Sequence, residues 1–156
     1  MTSVLEDWTR PQFQPGGGDA FLFYVVFGCV DARQELSRSR YRCDGVPDGL
    51  EIMQFGSKCH PEVPQSFREG YLWTELEKNS PELADAITSQ TDCTVIRGTL
   101  ADPANLNYLR DAVGLITFFL DNGGVSVYDP QMFQWWSPDQ WRERIFMISQ
   151  FAADIV

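Results

Sequence analysis

The chain of 156 residues carries 22 acidic and 12 basic residues, which gives a formal net charge of −10 at pH 7. A charge of this sign and size repels phosphate backbones and anionic lipid, so nucleic acid and membrane surfaces are not expected partners. Hydrophobic residues make up 44% and charged residues 22%, which is typical of a globular domain and not of a disordered chain.

The amino-terminal and cysteine patterns both indicate the cytoplasm. Met1–Arg10 contains two acids and lacks the apolar run of a signal peptide. The longest apolar stretch, Ala20–Val30, is too short to cross a bilayer. Four cysteines lie far apart without a CxxC spacing, so we expect free thiols in a reducing compartment.

The first predicted elements are an irregular lead-in and a buried strand. Pro11–Asp19 concentrates proline and glycine, so residues 1–19 are predicted to be irregular and residues 20–156 to form a single domain. Ala20–Val30 is aromatic and β-branched without polar alternation. This composition predicts a central strand that is buried on both faces.

A hairpin is predicted after this strand. Arg38, Arg40 and Arg42 occupy every second position, which is the period of a strand with one solvent-facing side. The turn-rich segment Cys43–Gly49 then leads to a second strand over Leu50–Phe55. The arginine row either binds carboxylates or phosphates of a ligand or pairs with the protein's own acids at a sheet edge, and we favour the second interpretation.

The remaining predicted elements are helices that alternate with strands after a loop. Serine or aspartate followed by proline marks three helix starts, because both residues can cap a helix and proline fits its first turn. Asn122-Gly123-Gly124 ends the longest helix, since glycine adopts the left-handed conformation cheaply. We predict a loop over Gly56–Gln65, helices over Ser66–Lys78, Ser80–Gln90, Asp102–Leu120 and Trp141–Ile148, and strands over Asp92–Leu100 and Val125–Tyr128.

This order of elements predicts an α+β fold, a two-layer sandwich of a mostly antiparallel mixed sheet with helices mainly on one face. The segment Asp92–Tyr128 is predicted to be a strand, a long helix and a strand. If both strands join one sheet, they run parallel to each other and the helix forms a right-handed crossover.

A possible metal motif, Cys29-Val30-Asp31-Ala32-Arg33, lies at the carboxyl end of the first predicted strand, where many sites of α/β proteins are built. These residues resemble the first zinc motif of the β-class carbonic anhydrases, in which a cysteine binds zinc and an Asp–Arg pair gates the fourth position. That family also needs a downstream His and Cys two residues apart, whereas the single histidine, His60, is followed by Pro61-Glu62-Val63. The tetrahedral ligand set is incomplete, so we expect no metal and no cofactor.

Cysteine and histidine chemistry is a second interpretation of these residues. A nucleophilic cysteine needs a base within reach, and the adjacent Cys59 and His60 seldom face each other. Cys29, Cys43 and Cys93 are other candidate nucleophiles for the same base. The alternative to a binding protein is therefore a small enzyme with a pocket at the end of the first strand. Its site would consist of Cys29, Asp31, Arg33 and His60.

Aromatic residues are concentrated in Tyr128–Trp141, which contains Phe133, Trp135 and Trp136. Aromatic side chains dominate recognition surfaces, since they bury a large area at a small entropy cost. The alternative interpretation is that Trp141 and one of Trp135 or Trp136 cover the sheet as core residues.

From Ser80 onward, the order of strand, long helix, Gly-Gly, short strand and DPQxxxWWSPxxW resembles small uncharacterised bacterial proteins, some of them encoded near secreted toxins. The resemblance spans the carboxyl-terminal half of the chain. It implies an immunity-type protein of the toxin–antitoxin kind, as in type VI secretion. Such a protein would neutralise a cognate toxin by direct binding in the cytoplasm, without catalysis.

The resemblance implies a second role for the excess of acidic residues. Excess acid can simply keep a protein soluble, but it also attracts a basic toxin or effector as a protein partner. A homodimer formed through the aromatic residues is a further alternative. The residues expected to bind the partner are Trp135, Trp136, Phe133, Asp139, Glu75, Glu77, Glu82 and Asp85.

Overall fold

A computed structural model describes residues 19–30, 36–100 and 105–147. Within these residues the chain forms one five-stranded sheet and six α-helices. The strands are β1 (Ala20–Phe27), β2 (Leu50–Phe55), β3 (Cys93–Leu100), β4 (Ser126–Asp129) and β5 (Gln134–Trp136). The helices are α1 (Arg38–Tyr41), α2 (Glu62–Phe67), α3 (Tyr71–Asn79), α4 (Pro81–Thr88), α5 (Asn107–Asp121) and α6 (Pro138–Trp141), and α6 runs on into a π-helical turn, Arg142–Phe146.

The sheet is built around the apolar strand β1, as its sequence predicts. The strand order is β2-β3-β1-β4-β5, and every neighbouring pair is antiparallel. Because β3 and β4 both pair with β1, they run parallel to each other but are separated by β1. The predicted parallel orientation is therefore found, but the two strands are not hydrogen-bonded neighbours, and the sheet is antiparallel throughout and not mixed. The α+β class is confirmed.

Helices pack against both faces of this sheet, which adds a second helical layer to the predicted two-layer sandwich. On one face, Tyr24 and Val26 of β1 pack against α5 and against Trp141 of α6. On the other face, Val25 and Phe27 pack with residues of α3 and α4. Successive residues of a strand point to opposite faces, so a strand covered on both sides must be apolar at every position.

The row of arginines forms helix α1 and not the predicted strand. The Ser37 side chain caps this helix by accepting the backbone N–H of Arg40. Two of the arginines pair with the protein's own acids, as favoured from the sequence: Arg38 bonds Asp44, and Arg40 lies 3.6 Å from Asp121. Arg42, just after the helix, donates to the backbone carbonyl of Phe146. Tyr41 is the one buried residue of this short helix, and its two arginines reach towards solvent and acidic side chains. The alternation of arginines with other residues therefore does not mark a strand here.

Several predicted boundaries change in the structure. The helix predicted over Ser66–Lys78 is interrupted at Gly70, whose φ of +90° favours glycine, and most of it is α3. The predicted loop Gly56–Gln65 is wrong in its last part, because α2 begins there at Glu62 and ends at Phe67. Strand β5 was not predicted at all, because three residues are too few for a period-2 pattern. The Ser137–Gln140 capping box is confirmed, whereas the Ser80 side chain makes no cap bond. Most of the predicted lead-in and the Asp102-Pro103 helix start lie outside the described residues.

Asp121, at the end of α5, joins three elements through its carboxylate. It accepts hydrogen bonds from the Tyr41 hydroxyl at 2.6 Å and from Nη2 of Arg142 at 2.7 Å. Desolvation alone would raise the pKa of this carboxyl, but the bonds from Tyr41 and Arg142 outweigh it and lower the pKa. The hydrogen bonds to the Asp121 carboxylate therefore stabilise the fold at pH values above the ordinary pKa of an aspartate. This stabilisation is lost as the pH falls through the lower pKa that the carboxyl has in the folded state.

We expect Asp121→Asn to lower the free energy of unfolding by about 1–2 kcal/mol at pH 7, because charged hydrogen bonds to Tyr41 and Arg142 become weaker ones. The cost should shrink towards pH 3 in urea unfolding experiments, since the wild-type carboxyl is then losing its charge. Asp139→Asn is the control, because Asp139 meets the same Arg142 at 3.5 Å while its side chain is 91% exposed. An equal cost at both pH values would contradict the prediction.

Candidate functional site

A groove of about 260 Å³ lies between α3, the start of α4 and strand β5. We call it the α3–β5 groove. Its apolar lining comes from leucines of α3 and α4 together with two aromatic residues, and Glu75 and Arg144 supply charge. The lining residues used below are Leu72, Glu75, Leu76, Leu83, Phe133, Trp135 and Arg144. Three residues predicted to bind a partner, Glu75, Phe133 and Trp135, therefore meet at one site.

Phe133 is the exposed aromatic residue of this groove, with 73% of its surface accessible. It follows a 3-10 turn, Pro130–Met132, and takes the left-handed conformation with φ of +55°. The buried Asp129 holds this turn by accepting the backbone N–H of Met132 at 3.2 Å. A bulky residue in the left-handed region is uncommon, so the turn presents Phe133 to solvent at a conformational cost.

Trp135 and Trp136 are buried, which corrects their expected role as exposed anchors: Trp135 is 5% and Trp136 is 8% exposed. Because they are neighbours on β5, they point to opposite faces of the sheet, and both faces are covered. Trp135 packs against Phe27 and Trp73 at ring-centroid distances of 5.4 and 5.3 Å. Both tryptophans are core residues, and Trp135 also forms part of the groove lining.

Acidic side chains lie on the solvent side of α3 and α4, next to the groove. Glu77, Glu82 and Asp85 are exposed and take part in no ion pair within residues 19–30, 36–100 and 105–147. Residue Asp139, by contrast, does not line the groove and pairs with Arg142. The predicted acids of α3 and α4 thus form one unpaired surface, which we call the α3–α4 acidic surface.

Basic residues are scarce on this side of the molecule. The stretch 62–92 contains seven acidic residues and two basic ones, Arg68 and Lys78. Arg68 is already used, because its guanidinium donates to the backbone carbonyls of Ile87 and Gln90 at the end of α4. Arginines near α1 and α6 pair with acids on the opposite face of the sheet. The negative charge of α3 and α4 is therefore not neutralised internally.

A second cavity, of about 330 Å³, lies where β1 and β2 end and β3 begins. Cys29, Cys59 and Cys93 all line it, although they are far apart in the sequence. The register brings them together, because Phe27 of β1 and Phe55 of β2 both pair with Cys93. The pocket predicted at the end of the first strand thus exists, with two further cysteines that the sequence did not place there.

The remaining residues of the alternative enzyme site do not assemble in this cavity. His60 does not line it, and its Nδ1 lies 3.0 Å from Glu62 on the exposed surface. Asp31 and Arg33 lie outside the described residues. Burial raises the pKa of the Cys93 thiol to about 12 and that of Cys43 to about 11. Both thiols therefore stay protonated at neutral pH, which makes them poor nucleophiles.

Within the described ranges, no group of three or more His, Cys, Asp or Glu side chains is arranged to hold a metal ion. The same residues contain no helix with the length and apolar character needed to cross a membrane. No protein-family model, curated protein or solved structure matches the chain. The function is therefore inferred from the two cavities and the surface around them.

Proposed function

We propose that this chain is a non-enzymatic binding protein that captures a basic protein partner on the α3–α4 acidic surface and in the α3–β5 groove. One observation carries this proposal: the exposed ring of Phe133 stands over a groove with Glu75 in its wall, beside acids that have no internal partner. An exposed aromatic anchor beside several unpaired acids suits recognition of an oppositely charged protein.

A cognate toxin or effector with a basic surface is the partner that we propose, in the manner of an immunity protein. Opposite charges speed association, and exclusion of water around an aromatic anchor slows dissociation. An immunity protein needs both properties, because it must bind its toxin before the toxin acts. The paired arginines on the opposite face would leave that face without a strong charge.

We expect the triple neutralisation Glu77→Gln, Glu82→Gln and Asp85→Asn to weaken partner binding by at least about tenfold at low salt. The tagged protein would capture its partner from native host extract, and calorimetry with the purified partner would give the dissociation constant. The partner's affinity for wild type should fall steeply as salt is raised, because exposed charges are screened.

A matched control is the triple neutralisation of Asp48, Glu51 and Glu143, which are exposed acids outside this surface. It changes the net charge by the same amount and should alter the dissociation constant by less than about twofold. Equal weakening by both triple variants would show a general charge effect and contradict the proposed surface. Cys29→Ser with His60→Ala should leave binding intact, whereas a loss of function in that variant would favour the enzyme alternative.

A further inference from the structure

Trp135 is only 5% exposed, yet its indole N–H has no hydrogen-bond acceptor among the described residues. The other tryptophans of this region are satisfied: Trp141 donates to the Thr117 hydroxyl at 2.9 Å, and Trp136 donates to Asp129 at 3.5 Å. Buried donors are nearly always paired, so this indole N–H needs an acceptor that the groove walls do not supply. Because the nitrogen itself is closed off from solvent, a ligand has to part the walls of the groove to bring that acceptor to it.

The two charged residues of the groove also lack a counter-ion there. Glu75 lies in the α3 wall, where its carboxylate accepts one bond, from Asn79 Nδ2 at 3.3 Å. Arg144 lies in the wall formed by the turn that continues α6. Among the described residues, no ion pair joins either of them to another side chain. A ligand that lies between these walls can therefore offer a cation to Glu75 and a hydrogen-bond acceptor to Arg144.

Building on the proposed function, we propose that the α3–β5 groove binds an extended arginine-bearing segment of the partner, with a backbone carbonyl of that segment accepting the Trp135 indole N–H. The aliphatic stem of the arginine would lie along Leu72 and Leu76. Its guanidinium would bond the Glu75 carboxylate and lie against the exposed ring of Phe133.

The charge of Arg144 limits which basic segments fit. A second cation at the far wall would meet this guanidinium, whereas a backbone carbonyl there would be favoured. The groove therefore suits one arginine between small uncharged residues better than a run of basic residues. Lysine is the poorer fit, because its ammonium cannot bond a carboxylate in the bidentate manner of a guanidinium.

The test is a titration of the ¹⁵N-labelled protein with the acetylated and amidated peptide Ala-Ala-Arg-Ala-Ala, followed by NMR of the tryptophan indole signals. The Trp135 signal is identified by its loss in Trp135→Phe. It should shift progressively to saturation, in the direction of a newly formed hydrogen bond. The same peptide with citrulline in place of arginine keeps the shape but loses the charge, and should bind at least about fivefold more weakly.

Two variants make the result specific. Glu75→Gln should weaken binding of the arginine peptide at least about fivefold. Glu51→Gln, which removes an exposed carboxylate on β2 outside both the groove and the acidic surface, should change the affinity by less than about twofold. An unmoved Trp135 signal, or equal binding of the citrulline peptide, would overturn the inference even if the acidic surface captures its partner. Peptide binding at the groove with partner capture unaffected by the triple neutralisation would support the inference and contradict the proposed function.

Discussion

Replacement of Arg110 by methionine is expected to lower the free energy of unfolding by about 3–5 kcal/mol at pH 7. Arg110 lies on α5 and is 4% exposed. Its Nε and Nη2 atoms donate to Asp111 at 3.1 and 3.0 Å, and Nη2 also donates to Asp44 at 3.0 Å. Methionine keeps much of the side-chain volume but leaves the Asp111 carboxylate buried without its cation.

The pH dependence of this cost follows from Asp111. Desolvation by burial raises the pKa of its carboxyl, even though the Asp44 N–H and the Arg110 guanidinium act in the opposite direction. Loss of Arg110 removes one of these opposing influences, so the pKa of Asp111 rises further. A raised folded-state pKa means that stability is greatest at low pH and falls as the carboxyl ionises. The cost of Arg110→Met should therefore be smaller at pH 4 than at pH 7.

Urea unfolding at both pH values would measure this difference. The double variant Arg110→Met with Asp111→Asn is the control, because it removes the buried charge together with its partner. It should recover part of the lost stability at pH 7 and show little dependence on pH. If Arg110→Met costs less than 1 kcal/mol, or if the double variant is no more stable than the single one, the buried ion pair is not what holds α5 to the Asp44 loop.

The fold could be predicted from the sequence where one local pattern was enough. The continuous apolar run of β1 indicates burial on both faces, and Ser137 with Gln140 defines a helix start within four residues. The α1 segment could not be predicted in this way, because six alternating residues fit a strand as well as a short helix. Its acidic partner Asp121 lies about 80 residues further along the chain.

The candidate site was predicted in part. Glu75, Phe133 and Trp135 were selected as separate charged and aromatic residues, and the structure brings them to one groove. Which tryptophans are exposed could not be predicted, because the burial of Trp135 depends on whether α3 covers the second face of the sheet. Arg144 was missed, since nothing in a local pattern places the last helix beside α3. The cysteine-lined cavity likewise depends on strand order, which the sequence does not determine.

Gly114→Ala is expected to lower the free energy of unfolding by about 3 kcal/mol, although glycine-to-alanine in a helix interior ordinarily stabilises by about 1 kcal/mol. Gly114 lies in the middle of α5, where α1 packs closely against it. A Cβ atom at this position would lie 2.1 Å from the backbone carbonyl oxygen of Tyr41 and 3.0 Å from Cβ of Cys43. A backbone oxygen cannot turn aside as a side chain can, so α1 or α5 has to move.

Urea unfolding of Gly114→Ala separates two opposing effects on the free energy of unfolding. Helix propensity alone would raise it, whereas the contact with α1 would lower it. Gly70→Ala is the matched control, because a Cβ there meets no atom within 4 Å and only the positive φ of +90° opposes it. That control should cost about 1–3 kcal/mol from backbone strain alone. A displaced α1 would also weaken the bond from Tyr41 to Asp121, so Gly114→Ala should reduce the additional cost of Asp121→Asn. Stabilisation by Gly114→Ala would mean that helix propensity outweighs the contact and that α1 does not pack tightly against α5.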